Sequence, residues 1–332
     1  MKRSRLSVAN AAVCGVFILA GFAGCGAKTD DSNLPRIPVT DGHFAVEAPA
    51  QASNAPPPEA TGGFDGSKAL AHVARLTQIG PRQSGTPGIA QAQQYILAEL
   101  KSYGCTAETD DFHADTPAGS LAMKNILVKI PGERPDIILL STHYDTKRLE
   151  NFVGADDGGS STGVMLELAR LLCAKPGHDA VWIAFFDGEE AVNVQWADPD
   201  NCYGSREMAA RLAASGDLKR IKALLLADIV GSRNLRIRRE SGSTKWLTDL
   251  VWSVAARLGY GQIFVREETS IDDDHVSFLR RGVPAVDVID LETSASYWHT
   301  PQDTLDKLSA RSLAVVGHVF LESVRELERK PR

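Results

Sequence analysis

The chain reads as an α/β domain, a single sandwich whose mixed, mostly parallel sheet carries helices on both faces. Three observations lead there. Short strand-type runs alternate with segments of helical periodicity, the interior runs are apolar throughout instead of alternating, and polar residues gather directly after them. Strands buried on both sides are what a parallel sheet requires, because its crossover helices cover both faces.

Ala69, Leu70, Val73, Ala74 and Leu76 fall at helical spacing, as do Ile89, Ala92, Tyr95, Ile96, Leu97 and Leu100, so two helices open the domain. Asn125–Val128 and Asp136–Leu140 are strand-type runs around Pro131-Gly132-Glu133-Arg134-Pro135. That turn signal predicts neighbouring antiparallel strands. Ser160 can cap a helix carrying Val164, Leu168, Leu171 and Leu172, and Ala180–Phe186 is a buried strand. Further helices are expected at Arg206–Ala214, Trp246–Leu258 and after Asp306, with interior strands at Ala223–Ile229 and Pro284–Ile289.

Of 332 residues, 43% are hydrophobic and 23% charged, which suits a folded globular chain with a large core. A formal charge of −6 offers no broad basic face and argues against nucleic acid as a partner. Five cysteines without a C-x-x-C pair make neither a disulfide scaffold nor a zinc ribbon. A metal is therefore expected to be held by His and carboxylates.

Residues 1–25 read as an export signal, with Lys2, Arg3 and Arg5 ahead of an apolar run over Val8–Ala20. The run is shorter than the ~20 residues of a spanning helix. Phe22-Ala23-Gly24-Cys25 resembles the lipobox of bacterial lipoproteins, which implies a lipid anchor on Cys25 and a place at the cell envelope, on the periplasmic side. An ordinary secretory signal or an uncleaved anchor is the alternative, and each of the three puts the folded part outside the cytoplasm. Residues 26–63, rich in Ala, Pro, Asp and Asn, read as a disordered tether. Residues 64–332 then form the folded domain, about 270 residues, a common size for one α/β unit.

In open α/β sheets, ligands bind beyond the carboxyl ends of the strands. His143-Tyr144-Asp145, Asp187-Gly188-Glu189-Glu190 and Asp228 each follow a strand-type run, Gly154-Ala155-Asp156-Asp157 precedes a helix, and Tyr297-Trp298-His299 stands near the end. Taken singly, each has a bland reading: a lone His is usually structural, and Asp157 could serve a helix dipole. Adjacent Glu189 and Glu190 at a buried strand end repel, however, and only a cation or a proton relieves that. Asp228, after Leu224-Leu225-Leu226-Ala227, would be equally costly to bury alone.

These motifs, in this order, resemble the zinc aminopeptidase and glutaminyl cyclase superfamily over about Phe64 to the C-terminus. The resemblance implies a phosphorylase/hydrolase-like sandwich and a zinc held by Asp157, Glu190 and His299, with Glu189 moving protons. His143 and Asp228 match positions that hold a second zinc in the aminopeptidases, so one or two zinc ions are implied. The substrate would be the N-terminus of a peptide or protein. Phe185-Phe186-Asp187-Gly188-Glu189-Glu190-Ala191, Trp196 with Tyr203-Gly204-Ser205-Arg206, and Asp273-Asp274-His275 with Phe278–Pro284 resemble the cyclase branch more closely. In that branch Asp228 and Asp273 would hold the amine and the proton relay, while Trp196 and Trp298 would wall the pocket. Thr142, Asp272 and Gly158-Gly159 depart from it, and peptide hydrolysis by an aminopeptidase is the alternative.

Gly159-Ser160-Ser161-Thr162-Gly163 satisfies G-x-S-x-G, but a nucleophile elbow needs a strand leading into the Ser, and Glu150–Gly158 is polar and Gly-rich. A metal-free peptide-binding domain would need a ligand to be missing, and none is. Asp145 and Asp156 are expected to orient ligand neighbours. Asp110-Asp111 reads as solvated. Cys105, Cys173 and Cys202 allow at most one internal disulfide, with Cys173 expected in the core.

Overall fold

The computed structural model describes residues 55–330. The expected export signal, Cys25 and most of the expected tether lie outside the described residues. The tether's last part does not behave as one: Pro58–Thr61 form a 3-10 turn, and Thr61 is buried, its hydroxyl donating to Phe64 O at 2.6 Å. The packed domain thus begins several residues before the boundary expected at residue 63, because Thr61 finds a buried acceptor there.

Strands β1 (Ala107–Thr116), β2 (Gly119–Ile130), β3 (Arg134–His143), β4 (Asp179–Phe186), β5 (Ile221–Asp228) and β8 (Ala285–Ile289) build one sheet in the order β1-β2-β4-β3-β5-β8. The last four run parallel, while β2 is antiparallel to β1 and to β4. Two short strands, β6 (Ile237–Glu240) and β7 (Phe264–Thr269), pair by themselves.

Helices α1 (Gly66–Ile79), α2 (Pro87–Ser102), α3 (Gly159–Ala174), α5 (Lys245–Arg257) and α8 (Ala310–Glu328) cover one face; α4 (Tyr203–Ser215) and α6 (Asp274–Leu279) cover the other. A one-turn helix, α7 (Leu291–Ser294), follows β8. Period-2 geometry divides the core between the faces: Ile138 and Leu140 of β3 pack under α3 and α8, and Ile137 and Leu139 pack under α4 and α6. Among the described residues no helix is long and apolar enough to cross a membrane.

The expected antiparallel pairing of Asn125–Val128 with Asp136–Leu140 is corrected. Strand β4 lies between them, with Ile126 opposite Phe185 on one side and Leu140 opposite Ile183 on the other. Pro131–Pro135 is therefore no hairpin turn, and the chain there runs against the start of β4, so closely that a Cβ on Gly132 would stand 2.2 Å from the Asp179 carbonyl carbon. Helix α3 is capped by Gly158, two residues ahead of Ser160. Cys173 is bonded to Cys105 instead of lying free in the core, and Asp110 is buried beside Arg211 at 2.8 Å.

Candidate metal centre

The parallel strands end at one rim, which sets His143, the turn after Phe186 and Asp228 side by side. Buried Arg82 fixes the loop leaving β3 by donating to the carbonyls of Tyr144, Val153 and Gly154 at 3.1, 2.6 and 2.8 Å. Asp145 then accepts the backbone N–H groups of Glu189 and Glu190 at 3.1 and 3.3 Å, which locks the two carboxylates' turn to that loop. Asp156 accepts from Tyr297 Oη and Gly231 N, both at 2.7 Å, tying the segments around His299 and Asp228 together. Gly158 is required between them: its φ is +73°, and a Cβ would fall 2.7 Å from Asp145 O and 2.9 Å from His143 Cε1.

His299 Nε2 lies 3.2 Å from both Asp157 Oδ2 and Glu190 Oε1. His143 Nε2 lies 3.3 Å from Asp157 Oδ1 and 3.0 Å from Asp228 Oδ1. Two donor triads therefore share Asp157, each with its ligand atoms within 4.8 Å of one another. Asp157 Oδ2 and Glu190 Oε2 are buried without a hydrogen-bond partner. Orphaned carboxylate oxygens beside imidazole nitrogen are a donor set that fits zinc, and a cation would satisfy both. His299 holds its place with a left-handed φ of 52°, rare outside glycine, and its ring stacks on Trp298 with centroids 4.0 Å apart.

Electrostatics point the same way. Burial pushes Glu189 well above the ordinary carboxylate range, helped by Glu190, against the pull of His143. Burial and the nearby Asp157 raise Glu190 to about 7; burial and Asp228 raise Asp273 to about 7. Asp157 is the exception, since the imidazoles of His143 and His299 close beside it outweigh burial and hold it low. His299 rises to about 10, because Asp157 and Glu190 overcome a burial that favours the neutral ring. A field that holds a proton there so firmly also favours a dication.

A cavity of about 370 Å³ opens over this rim, lined by Asp157, Glu189, Glu190, Asp228, Asp273 and His299, with Trp196 and Trp298 on its walls. Every site residue singled out in the sequence is thus brought to one place, with His143 beneath the others. Lys147 also lines it and was missed. It is buried, its Nζ stands 3.6 Å from Glu190 Oε2 without a hydrogen bond, and only its nearness to His143 in the sequence signalled it.

A carboxylate-rich donor set at the C-terminal rim of a mostly parallel sheet defines a metal-site enzyme of the α/β class. The chain belongs to peptidase family M28, whose model matches residues 125–324. A glutaminyl-peptide cyclotransferase of Drosophila melanogaster is 30% identical over 271 residues, covering 72% of this chain and 76% of that protein. A Bos taurus glutaminyl-peptide cyclotransferase-like protein is also 30% identical, over 72% and 71%. Among solved structures, a glutaminyl cyclase from an Acidobacteriales bacterium aligns with a TM-score of 0.77 at 40% identity, over 86% of this chain and 100% of that one. A Zn-dependent exopeptidase from Parabacteroides distasonis aligns at 0.72 and 28%, over 79% and 98%.

Proposed function

We propose that this chain is a zinc-dependent glutaminyl-peptide cyclotransferase, converting the N-terminal Gln of peptides or proteins to pyroglutamate with release of ammonia. The similarity to the Acidobacteriales glutaminyl cyclase, spanning that whole chain, carries the reading. Asp157, Glu190 and His299 would hold one zinc ion, which when bound supplies a Lewis acid for the γ-amide carbonyl. Glu189 takes a proton from the attacking α-amine and gives it to the departing amide nitrogen, so a C–N bond forms, another breaks and ammonia leaves. Its raised pKa suits both halves of that transfer. Asp228 and Asp273 line the same cavity and hold the amine and the relayed proton. Trp196 and Trp298 exclude water, so that the internal amine attacks in its place.

One observation favours hydrolysis by an aminopeptidase: the second triad of His143, Asp157 and Asp228 is fully assembled. Protein lacking residues 1–25 decides between them. A Gln-initiated peptide should release ammonia and gain a blocked N-terminus, and Glu189→Gln should abolish this while keeping its zinc. Free amino acid from a Leu-initiated amide would transfer the reading to the peptidase. We also place the enzyme outside the cytoplasm, on a lipid anchor at Cys25. The Cys105–Cys173 disulfide supports export, since such bonds persist in oxidising compartments.

A further inference from the structure

Beside the proposed zinc triad lies a group the chemistry above does not use. Cys202 is the only free cysteine among the described residues and is 5% exposed. Its backbone N–H donates to Glu189 O at 2.8 Å, which seats the thiol against the turn carrying the two glutamates. Cys202 Sγ and one carboxylate oxygen each of Glu189 and Asp273 lie within 4.8 Å of one another. Asp273, 3% exposed, keeps Oδ2 without a hydrogen-bond partner.

We propose that Cys202, Glu189 and Asp273 form a separate site for a thiophilic divalent cation, of which cadmium and excess zinc are the representatives, and that its occupancy shuts off turnover. Sulfur with two carboxylates is a mixed donor set that borderline-soft cations accept and magnesium or calcium do not. The charged groups acting most on the thiol, Asp274, Glu189, Asp273 and Asp272, are all acidic, so the spot attracts a cation. Glu189 and Asp273 line the catalytic cavity and give the ion its way in. As the metal–sulfur bond forms, the thiol proton leaves to solvent. Glu189 then ligates instead of carrying protons, so the inhibitory half of the proposal rests on the reading of Glu189 given above, whereas the site itself does not.

Cadmium chloride added to the zinc-loaded, full-length enzyme tests this, with ultraviolet sulfur-to-cadmium charge-transfer absorption and ammonia release as readouts. The absorption should grow while the rate falls in step with it. Cys202→Ser should keep its basal rate, lack the absorption and resist cadmium. An absorption that survives in this variant, or equal inhibition of the two proteins, overturns the proposal. Should circular dichroism show that Cys202→Ser does not fold, Asp273→Asn decides on absorption alone: a weakened band supports the site and an unchanged band ends it. Absence of ammonia release before any cadmium is added would count against the cyclase reading, while the absorption still reports on the site.

Discussion

His299 Nε2 stands 3.2 Å from Asp157 Oδ2, although Asp157 sits just before α3 and His299 lies in a loop ahead of α8. The same carboxylate offers Oδ1 to His143 at 3.3 Å, so Asp157 is the hinge of both donor triads. An Asp157→Asn variant keeps the size and loses the charge. Zinc retention should fall by more than the ~100-fold that an outer partner commands. Measured zinc content and ammonia release should drop together, and a variant that kept its zinc would remove Asp157 from the ligand set.

One step further out, Asp303 accepts the backbone N–H groups of Asp156 and Asp157 at 2.8 and 3.1 Å, holding the loop that carries the proposed ligand in shape. In Asp303→Asn one oxygen remains to serve two donors. Competition with a chelator should show zinc binding weakened by about 10–100-fold, the usual effect of losing an outer partner. Unaltered zinc affinity would mean that Arg82 and the helix behind the loop suffice to position it.

Why some of this was legible and some not follows from where each segment buries its side chains. Strands β3, β4, β5 and β8 are buried along nearly their whole length, so apolar runs announce them. Strand β1 lies at the sheet edge, and its Glu108-Thr109-Asp110-Asp111 sequence looks like a loop until the pairing with β2 is seen. Strands β6 and β7, of four and six residues, are too short for a period to register. Insertion of β4 between β2 and β3 is a long-range choice that no local turn signal carries. His143, Glu189, Glu190 and Asp228 were readable because strand ends in a parallel sheet converge, and Asp157, Asp273 and His299 through the motifs that accompany them; Lys147 and Cys202 were not, since their meaning lies only in what they face.

Lys147 lines the cavity with an ammonium that pairs with Glu190 Oε2 at 3.6 Å but makes no hydrogen bond. That donor is available for a carbonyl oxygen of the bound peptide. Replacing it with Met preserves the packing of the stem and removes the donor. A charge-assisted hydrogen bond is typically worth ~1.5–3 kcal/mol, so kcat/KM for a Gln-initiated peptide should fall about tenfold or more. The loss should appear mainly in KM, with zinc content unchanged; a loss confined to kcat would point instead to a part in the chemistry.

The Cys105–Cys173 disulfide ties the segment entering β1 to the end of α3 across 68 residues. Closing a loop of that length removes unfolded-chain entropy equivalent to about 4 kcal/mol at room temperature. A Cys105→Ser, Cys173→Ser double variant should therefore unfold at markedly lower urea concentration while turning over normally, because neither cysteine lines the cavity. Loss of zinc or activity in the folded double variant would show that α3 transmits the constraint to Asp157.

His72 provides the pH prediction. Its Nδ1 is 2.6 Å from Tyr95 Oη and its Nε2 3.0 Å from Tyr103 Oη, within the packing of α1 against α2. Burial, reinforced by Arg170 and Lys68, lowers its pKa from 6.5 to about 4. Above 6.5 the ring is neutral folded or unfolded and has no pH effect. Between 6.5 and 4 the unfolded chain takes up a proton that the folded one refuses, so stability declines as pH falls through this window and the contribution levels off below it. At ~1.4 kcal/mol per pKa unit the decline amounts to about 3 kcal/mol. His72→Gln retains a hydrogen-bonding side chain without the titration. Urea unfolding across the acid range should show the variant losing less stability than the wild type by about that amount. Parallel declines in the two proteins would mean that His72 is protonated in the folded state, or that its tyrosine cage opens before the domain does.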